Sequence, residues 1–515
     1  MPRALAHNRR APTRNSAYAV SRRHGLCVLA GLALSGCGFI GYDPRPSGTD
    51  AAGGGAFPGT EPSAQAGPNP ASPTLNCPTG VCLEVEWRHN VTGLRSAYTP
   101  THFAHTLSFR SDGSLLFTGS QRDALTWGAV EWPFEADSSV VLAVGPEGDL
   151  DDIHRFPSGL SLRGLVPVDA DAYMLAGFYW QQVDLQGSSI PAVANPSVST
   201  LFSRIDGSGQ AQWVTSASAP NGPFMFATAL HGNAFYGGGV FNESAHWAPS
   251  FELDVGPDGW GAVLSRLDLT SGEVLEVQHP FGLRHGIVDS LLPLSAGGML
   301  IHGAAFPSTR IGDMDETLTS NAAYLARTDE AGELVWFSLV DTGGHDRPAG
   351  LAVREPHVSI AVELRGSQWD TGESIHTVLG DTDIAVLGYS LDGSRQWQRV
   401  FSTAGRDAAL GIAISPAGVT YIALSLPAPL DLTGDGAVGR VLEAGTALLA
   451  INAQGQVVEA LNWPGVFFEQ GQLALDPTGT RLALLTEFRN SVTDDWSVQE
   501  EDDTRGISLT LFRLD

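Results

Sequence analysis

Apolar positions fall in short runs along most of the chain, each bounded by Gly, Pro, Asp or Ser, and the runs recur in a fixed order. A small apolar run comes first, as in Gly411-Ile412-Ala413-Ile414. A turn, Pro416-Ala417-Gly418, and a β-branched run, Val419 to Ala423, follow it. The same pair recurs as Leu107–Phe109 before Leu115–Phe117, Leu165–Pro167 before Tyr173–Leu175, and Ala227–Ala229 before Ala234–Tyr236. It returns as Leu291–Pro293 before Met299–Ile301, Gly350–Val353 before Val358–Val362, and Leu473–Leu475 before Arg481–Leu485. Short β-rich runs between turn residues predict strands. No long stretch carries a 3.6-residue apolar period, so helix is expected to be minor.

Each copy has a second half, a strand, a turn and a strand. Ser203-Arg204-Ile205-Asp206-Gly207-Ser208-Gly209 precedes Trp213; Ala326 to Gly332 precedes Trp336, and Gly388 to Gly393 precedes Trp397. The turn glycines Gly148, Gly209, Gly272, Gly332, Gly393 and Gly455 are 61, 63, 60, 61 and 62 residues apart. A fixed period sets the architecture, because units that cannot bury their own faces must stack. Seven units of four strands predict an all-β fold, a seven-bladed β-propeller of four-stranded blades. The ends agree with a ring. The last run, Leu509 to Asp515, matches the strand before the repeat turn, and Leu83 to Trp87 matches the strand after it. The N- and C-terminal strands should therefore pair in one blade and leave no open edge. A linear solenoid would want polar caps instead.

The small apolar strand is assigned to the channel side, where blades crowd, and the Trp strand to the rim. Trp87, Trp213, Trp336 and Trp397 should pack between neighbouring blades. Two repeats carry Glu276 and Glu459 in place of that Trp, and their contacts should be weaker.

The units are similar to the bacterial β-propeller repeats of surface lipoproteins, with a G-x-A start, a later Tyr, and D-x-x-G before Trp. Gly411-Ile412-Ala413 to Tyr421, and Tyr324 to Trp336, carry the likeness, which spans residues 83–515. The resemblance implies a propeller outside the cell with no assigned activity. The front of the chain has the matching character. Pro2 to Arg23 hold six Arg and no acid, and Leu26 to Leu34 form an apolar core. That is a secretory signal, too short to span a bilayer. Leu34-Ser35-Gly36-Cys37 resembles the bacterial lipobox, which implies cleavage before Cys37 and diacylglycerol on its thiol. Residues 1–36 then form the signal peptide. Residues 37–76 form the lipidated Cys and a tether rich in Pro, Gly, Ser and Ala, and residues 77–515 form the propeller. In an oxidising compartment, Cys77 and Cys82 are expected to form a local disulfide; a lone zinc pair is the alternative.

The formal net charge is −27, and cleavage before Cys37 would remove only positive residues. Clustered Lys and Arg are what phosphate backbones require, so the charge argues against nucleic acid as a partner. The chain contains no Lys, which excludes lysine Schiff bases and P-loop phosphate binding. G-x-S-x-G and H-E-x-x-H are absent. His102 and His105 read as turn or rim residues, and Gly344-His345-Asp346 matches Arg406-Asp407 one repeat later, which is turn chemistry. Acids recur in the links between second and third strands: Asp254 and Asp258, Asp313 and Asp315, Asp381 and Asp383, Asp431 and Asp435. Asp431 and Asp435 partly resemble a calcium loop, without its closing acid; Asp and Gly also make such turns with no ion. No other cofactor is expected.

These features predict a monomer, anchored to the envelope at the outer membrane or cell surface through its N-terminal lipid, that binds protein or polysaccharide. The alternatives are a hydrolase or lyase using acids at the channel mouth, and a structural spacer with no ligand.

Overall fold

The computed structural model describes residues 83–514 except 96–106, 135–137, 191–197, 220–223, 248–250, 434–438, 493–497, 500–504 and a few shorter gaps. Cys37, Cys77, Cys82, His102, His105 and the tether lie outside the described residues. The described residues are strands joined by turns, with a single turn of 3-10 helix at Pro280–Gly282.

Seven antiparallel four-stranded units succeed one another. Their inner strands are Leu107–Phe109, Leu160–Pro167, Phe224–His231, Gly286–Pro293, Arg347–Arg354, Ala408–Ile414 and Phe468–Leu475, and these number sheets 1 to 7. Within sheet 5, for example, the order from that inner strand is His357–Leu364, Asp383–Ser390 and Arg395–Phe401. Sheet 7 is completed from both ends of the chain: Arg505–Leu514 pairs with Arg481–Arg489 on one side and with Leu83–Arg95 on the other. The terminal register runs from Leu83↔Leu514 to Thr92↔Gly506, with a bulge before Trp87. The expected pairing of the two ends is present.

Both faces of each sheet are covered by neighbours, so central strands are apolar throughout instead of alternating. Ala172–Tyr179 and Met299–Ala305 are buried at every position. Seven apolar clusters fill the seams between successive sheets. One of them joins Ala483 and Leu509 of sheet 7 to Phe117 and Val140 of sheet 1. Inner strands lie side by side from sheet 1 to sheet 7, and the inner strand of sheet 7 also contacts that of sheet 1. Glycine permits the crowding there. A Cβ on Gly411 would stand 2.5 Å from Leu473 N in sheet 7.

The D-x-x-G signature has a local cause. Asp206 Oδ1 accepts the backbone N–H groups of Ser208 and Gln210, both at 3.0 Å, and Gly209 takes φ +80°. The pairing slips by one residue just before this turn, between Arg204 and Ile205. A glycine in the left-handed region at such a slip closes a bulged hairpin without strain.

The rim tryptophans do pack between sheets. Trp87, Trp213 and Trp336 donate Nε1–H to Pro146, Leu269 and Leu391 O of the next sheet, at 3.1, 3.1 and 2.9 Å. Their rings lie on that sheet's turn glycine, and a Cβ on Gly272 would come within 2.4 Å of Trp213 Cε3. The register shows three acids at the Trp position, not the two expected: Asp152 pairs with Ala143 as Glu276 pairs with Arg266 and Glu459 with Ala450. In two of these seams a residue two positions on replaces the indole. His154 covers Gly209, and Gln278 covers Gly332. His154 is held on both sides, by Tyr173 Oη at 2.5 Å and Asp152 Oδ2 at 2.9 Å.

Candidate functional site: a crown of hairpins and the acids beneath it

Each link between second and third strands forms a small β-ribbon. In sheet 1, Val130–Trp132 folds back on the end of Leu115–Trp127. The other six pair Val183–Leu185 with Ser188–Ile190, Ser244–Trp247 with Phe251–Asp254, Arg310–Ile311 with Met314–Asp315, Gln368–Asp370 with Ile375–Thr377, Leu430–Asp431 with Val441–Leu442, and Ser491–Val492 with Val498–Gln499. Antiparallel order puts all seven links at one end of the sheets, the end where outer strands cross to the next inner strand. Two ribbons also tie neighbouring sheets together. Ala217 and Ser218 of sheet 2 pair with Trp247 and His246, and Val91 of sheet 7 pairs with Trp127.

The ribbons alternate, as half-buried strands do. Val183, Leu185, Trp247, Trp369 and Leu442 turn inward and are buried, which fixes the outward residues between them. Nine large apolar side chains are exposed among the described residues, and seven belong to this end: Val130, Phe134, Trp180, Ile375, Leu379, Val441 and Phe467. Ile375 is 64% exposed. Only Leu275 and Val335 lie elsewhere, on outer strands. Exposed acids share the end, among them Asp184, Glu252, Asp254, Asp370, Asp381 and Asp431.

These acids are turn-formers as well. Asp254 and Asp370 accept the N–H of Gly256 and Gly372 at 2.6 and 2.8 Å. Asp431 Oδ1 accepts both the N–H and the hydroxyl of Thr433, at 2.8 and 2.6 Å, and those bonds hold its carboxyl below the ordinary range. Asp431 Oδ1 thus serves a turn as well. Asp435, Asp258 and Asp313 lie outside the described residues. Among the described residues, no cluster of three His, Cys, Asp or Glu side chains could hold a metal ion.

Asp383 behaves differently from the rim acid expected. It opens the third strand of sheet 5 and is fully buried. Its Oδ2 accepts His376 Nε2 at 2.8 Å, Leu379 N at 3.0 Å and Ser402 Oγ at 2.5 Å, while Oδ1 is buried without a donor. Asp407 is buried beside it and locks the link to sheet 6, accepting Thr403 N at 2.7 Å and Thr403 Oγ1 at 2.6 Å. Burial pushes the Asp407 carboxyl up to about 6, and the charge of Asp383 adds to the shift. One repeat earlier Asp346 does the same, accepting Thr342 N, Thr342 Oγ1 and Arg365 N. Turn chemistry is therefore what Asp346 and Asp407 perform. Sequence reading placed them in the links but had no signal for the burial of Asp383, which depends on Ser402 and His376 arriving from two other segments.

Between the inner strands of sheets 4 to 7 there is a space of about 230 Å³, bounded by Leu292, Leu351, Ile412, Leu473 and the side of Arg354. Its lining is mostly apolar, with Ser290, Gln472 and Arg354 as the polar members and no carboxylate.

No family model matches this chain, and no curated protein sequence matches it. Solved structures resemble its trace. A chain of the mitotic checkpoint complex is 9% identical, with a TM-score of 0.45, over 88% of this chain and 99% of that one. The WD40 repeats of RRP9 are 9% identical, with a TM-score of 0.43, over 82% and 98%. The quinohemoprotein alcohol dehydrogenase of Comamonas testosteroni is 9% identical, with a TM-score of 0.40, over 84% and 76%. The fold itself, an all-β propeller of repeated four-stranded sheets, is read from the strand pairing.

Proposed function

We propose that this chain is an exported binding module, a closed seven-bladed propeller held at the cell surface by a lipid on Cys37, whose crown of ribbons grips a protein partner. The observation that carries the reading is the one-sided placement of exposed apolar side chains: Val130, Ile375 and Val441 lie on ribbons, and Phe134, Trp180, Leu379 and Phe467 lie in the adjoining segments of the same end. Exposed apolar groups gathered on one face mark interaction surfaces, whereas scattered single ones do not. Aliphatic Ile375, Leu379 and Val441 beside aromatic Phe134, Trp180 and Phe467 suit a protein surface. The net charge of −27 and the acids on the same ribbons favour a partner that is basic where it docks. Ring closure is supported by the terminal pairing and by the contact of the first and last inner strands.

A hydrolase at the channel mouth has less support. The inner-strand space lacks a carboxylate in its lining, and the two coupled buried acids, Asp383 and Asp407, are engaged with Thr403, Ser402 and His376. The spacer and the binding module are separated by capture from a cell-surface extract. The wild-type chain should retain a basic protein. A variant with Trp180, Ile375 and Phe467 changed to Ser should lose it, and one with Leu275 and Val335 changed to Ser should keep it. Equal capture by all three, or by none, contradicts the reading.

A further inference from the structure

The seam between sheets 5 and 6 departs from its siblings. In sheets 2 and 4 the rim tryptophan is paired with an arginine, Trp213 with Arg204 and Trp336 with Arg327. Arg327 Nη1 and Trp336 Nε1 both donate to Leu391 O, at 2.8 and 2.9 Å, so the indole is drawn across the seam. In sheet 5 the residue paired with Trp397 is Gly388. Trp397 still packs in the seam, on the turn glycine Gly455 of sheet 6, but with no side chain beneath it the indole Nε1 edge turns over its own sheet: a Cβ on Gly388 would stand 2.2 Å from Trp397 Nε1. Ala453 occupies the place of Leu391 in the next turn. Instead of meeting the indole N–H there, it lines a cavity of about 190 Å³.

The cavity opens at the turn end of the sheets, opposite the crown. Trp397, His357, Ser390 and Gln396 line it from sheet 5, and Gly418 and Ala453 from sheet 6. The His357 ring lies against Gly418, where a Cβ would be 2.9 Å from Nε2, so this glycine makes room for the imidazole. Gln396 is exposed at the entrance, where its Nε2 donates to Ser390 Oγ at 3.2 Å and to Ser394 O at 3.1 Å, and Ser390 Oγ in turn donates to Asp392 Oδ1 at 2.5 Å. No Arg, Asp or Glu belongs to the lining.

These features select a ligand class. The volume equals that of about six waters at ~30 Å³ each, and it falls below the roughly 300 Å³ at which drug-sized sites begin. One ring fits. A lining without fixed charge disfavours ions, since a charged guest would be desolvated without a partner. A half-exposed indole flanked by hydroxyl, amide and imidazole groups offers an apolar face with hydrogen bonds at its edge. We propose that this cavity binds a single neutral sugar ring, its C–H face against Trp397 and its hydroxyls bonded by the Gln396 carbonyl oxygen and the His357 imidazole. The site is independent of the crown and would not fail with it.

The test is saturation-transfer NMR on the full chain with methyl glucoside, methyl galactoside and N-acetylglucosamine. Wild type should transfer saturation to at least one of them, with Kd in the millimolar range expected for so few atoms. Gly388→Arg rebuilds the Arg–Trp pair of sheets 2 and 4 and should weaken binding about tenfold or more. Gln396→Ala, at an exposed position, should fold normally and weaken it about threefold or more. Trp180→Ser, on the crown, should leave it unchanged. The proposal is overturned if no glycoside receives saturation, or if binding is undiminished in the arginine variant. Should that variant not fold, undiminished binding in both Gln396→Ala and His357→Ala overturns it equally. Tighter binding of glucose 6-phosphate than of the neutral glycosides also overturns it.

Discussion

Gly272 shows at a single position how the seams are made. It sits at φ +72°, and Trp213 rests where its side chain would be. Gly272→Ala must meet both a left-handed backbone, about 1–2 kcal/mol for an L-residue, and the indole. Chemical denaturation should show a loss larger than for Gly256→Ala, where φ is +84° but a Cβ meets nothing. Asp407 makes a second prediction, through pH. Its folded carboxyl titrates near 6, above the ordinary 3.8, so the folded state holds the proton more tightly than the unfolded chain does. The stabilisation from that proton is complete below the unfolded value and is lost as pH rises through about 6. The melting temperature of Asp407→Asn relative to wild type should therefore improve between pH 4 and pH 7. An unchanged difference would show that folding does not raise the Asp407 carboxyl. Such residues were legible in unequal measure. The turn glycines and Asp206 announce themselves, because the turn needs those types whatever surrounds it. Asp383 did not, because its burial is decided by segments on either side of its strand, 7 and 19 residues away in the chain.

At the scale of elements, the rim strand is the part the sequence displays best and also where it misleads. Trp336→Ala should cost about 3 kcal/mol or more, since the indole fills the seam and donates to Leu391 O. Gln278→Ala, at the seam where an amide takes that place, should cost clearly less, and paired urea unfolding curves would show it. The expectation of weaker contact at acidic rim positions missed Asp152 and missed the compensation by His154 and Gln278. A helper two residues farther along is on the same face of a strand, but the pattern of a single Trp per repeat gives no reason to look there. The ribbons of the crown were also hidden. Their strands are only two to four residues long apart from the sheet they spring from, too short for any alternation to register. Their pairing follows from the geometry of the long links, which sequence reading placed but could not fold. The four main strands of each unit, by contrast, carry enough apolar length to declare themselves.

For the whole molecule, the period of about 61 residues and the complementary ends carried most of the architecture. Seven units each bury two faces only if the first meets the last, and the strand that does this belongs to neither end alone. Arg505–Leu514 lies between Arg481–Arg489 and Leu83–Arg95, so removal of either terminal strand exposes a sheet edge and a seam of apolar side chains. The terminal pairing braces the seam between sheets 7 and 1, as apolar clusters brace the other seams on which the ribbons and the cavity between sheets 5 and 6 rest. Hydrogen exchange measured by mass spectrometry, on the intact chain and on one lacking residues 83–95, tests this most directly. In the intact chain, amides of 505–514 should be as protected as those of the third strand of sheet 6, Gly445–Ile451; in the shortened chain their protection should collapse while Gly445–Ile451 keeps most of its own. Equal and unchanged exchange at 505–514 in the two chains would contradict the closed ring.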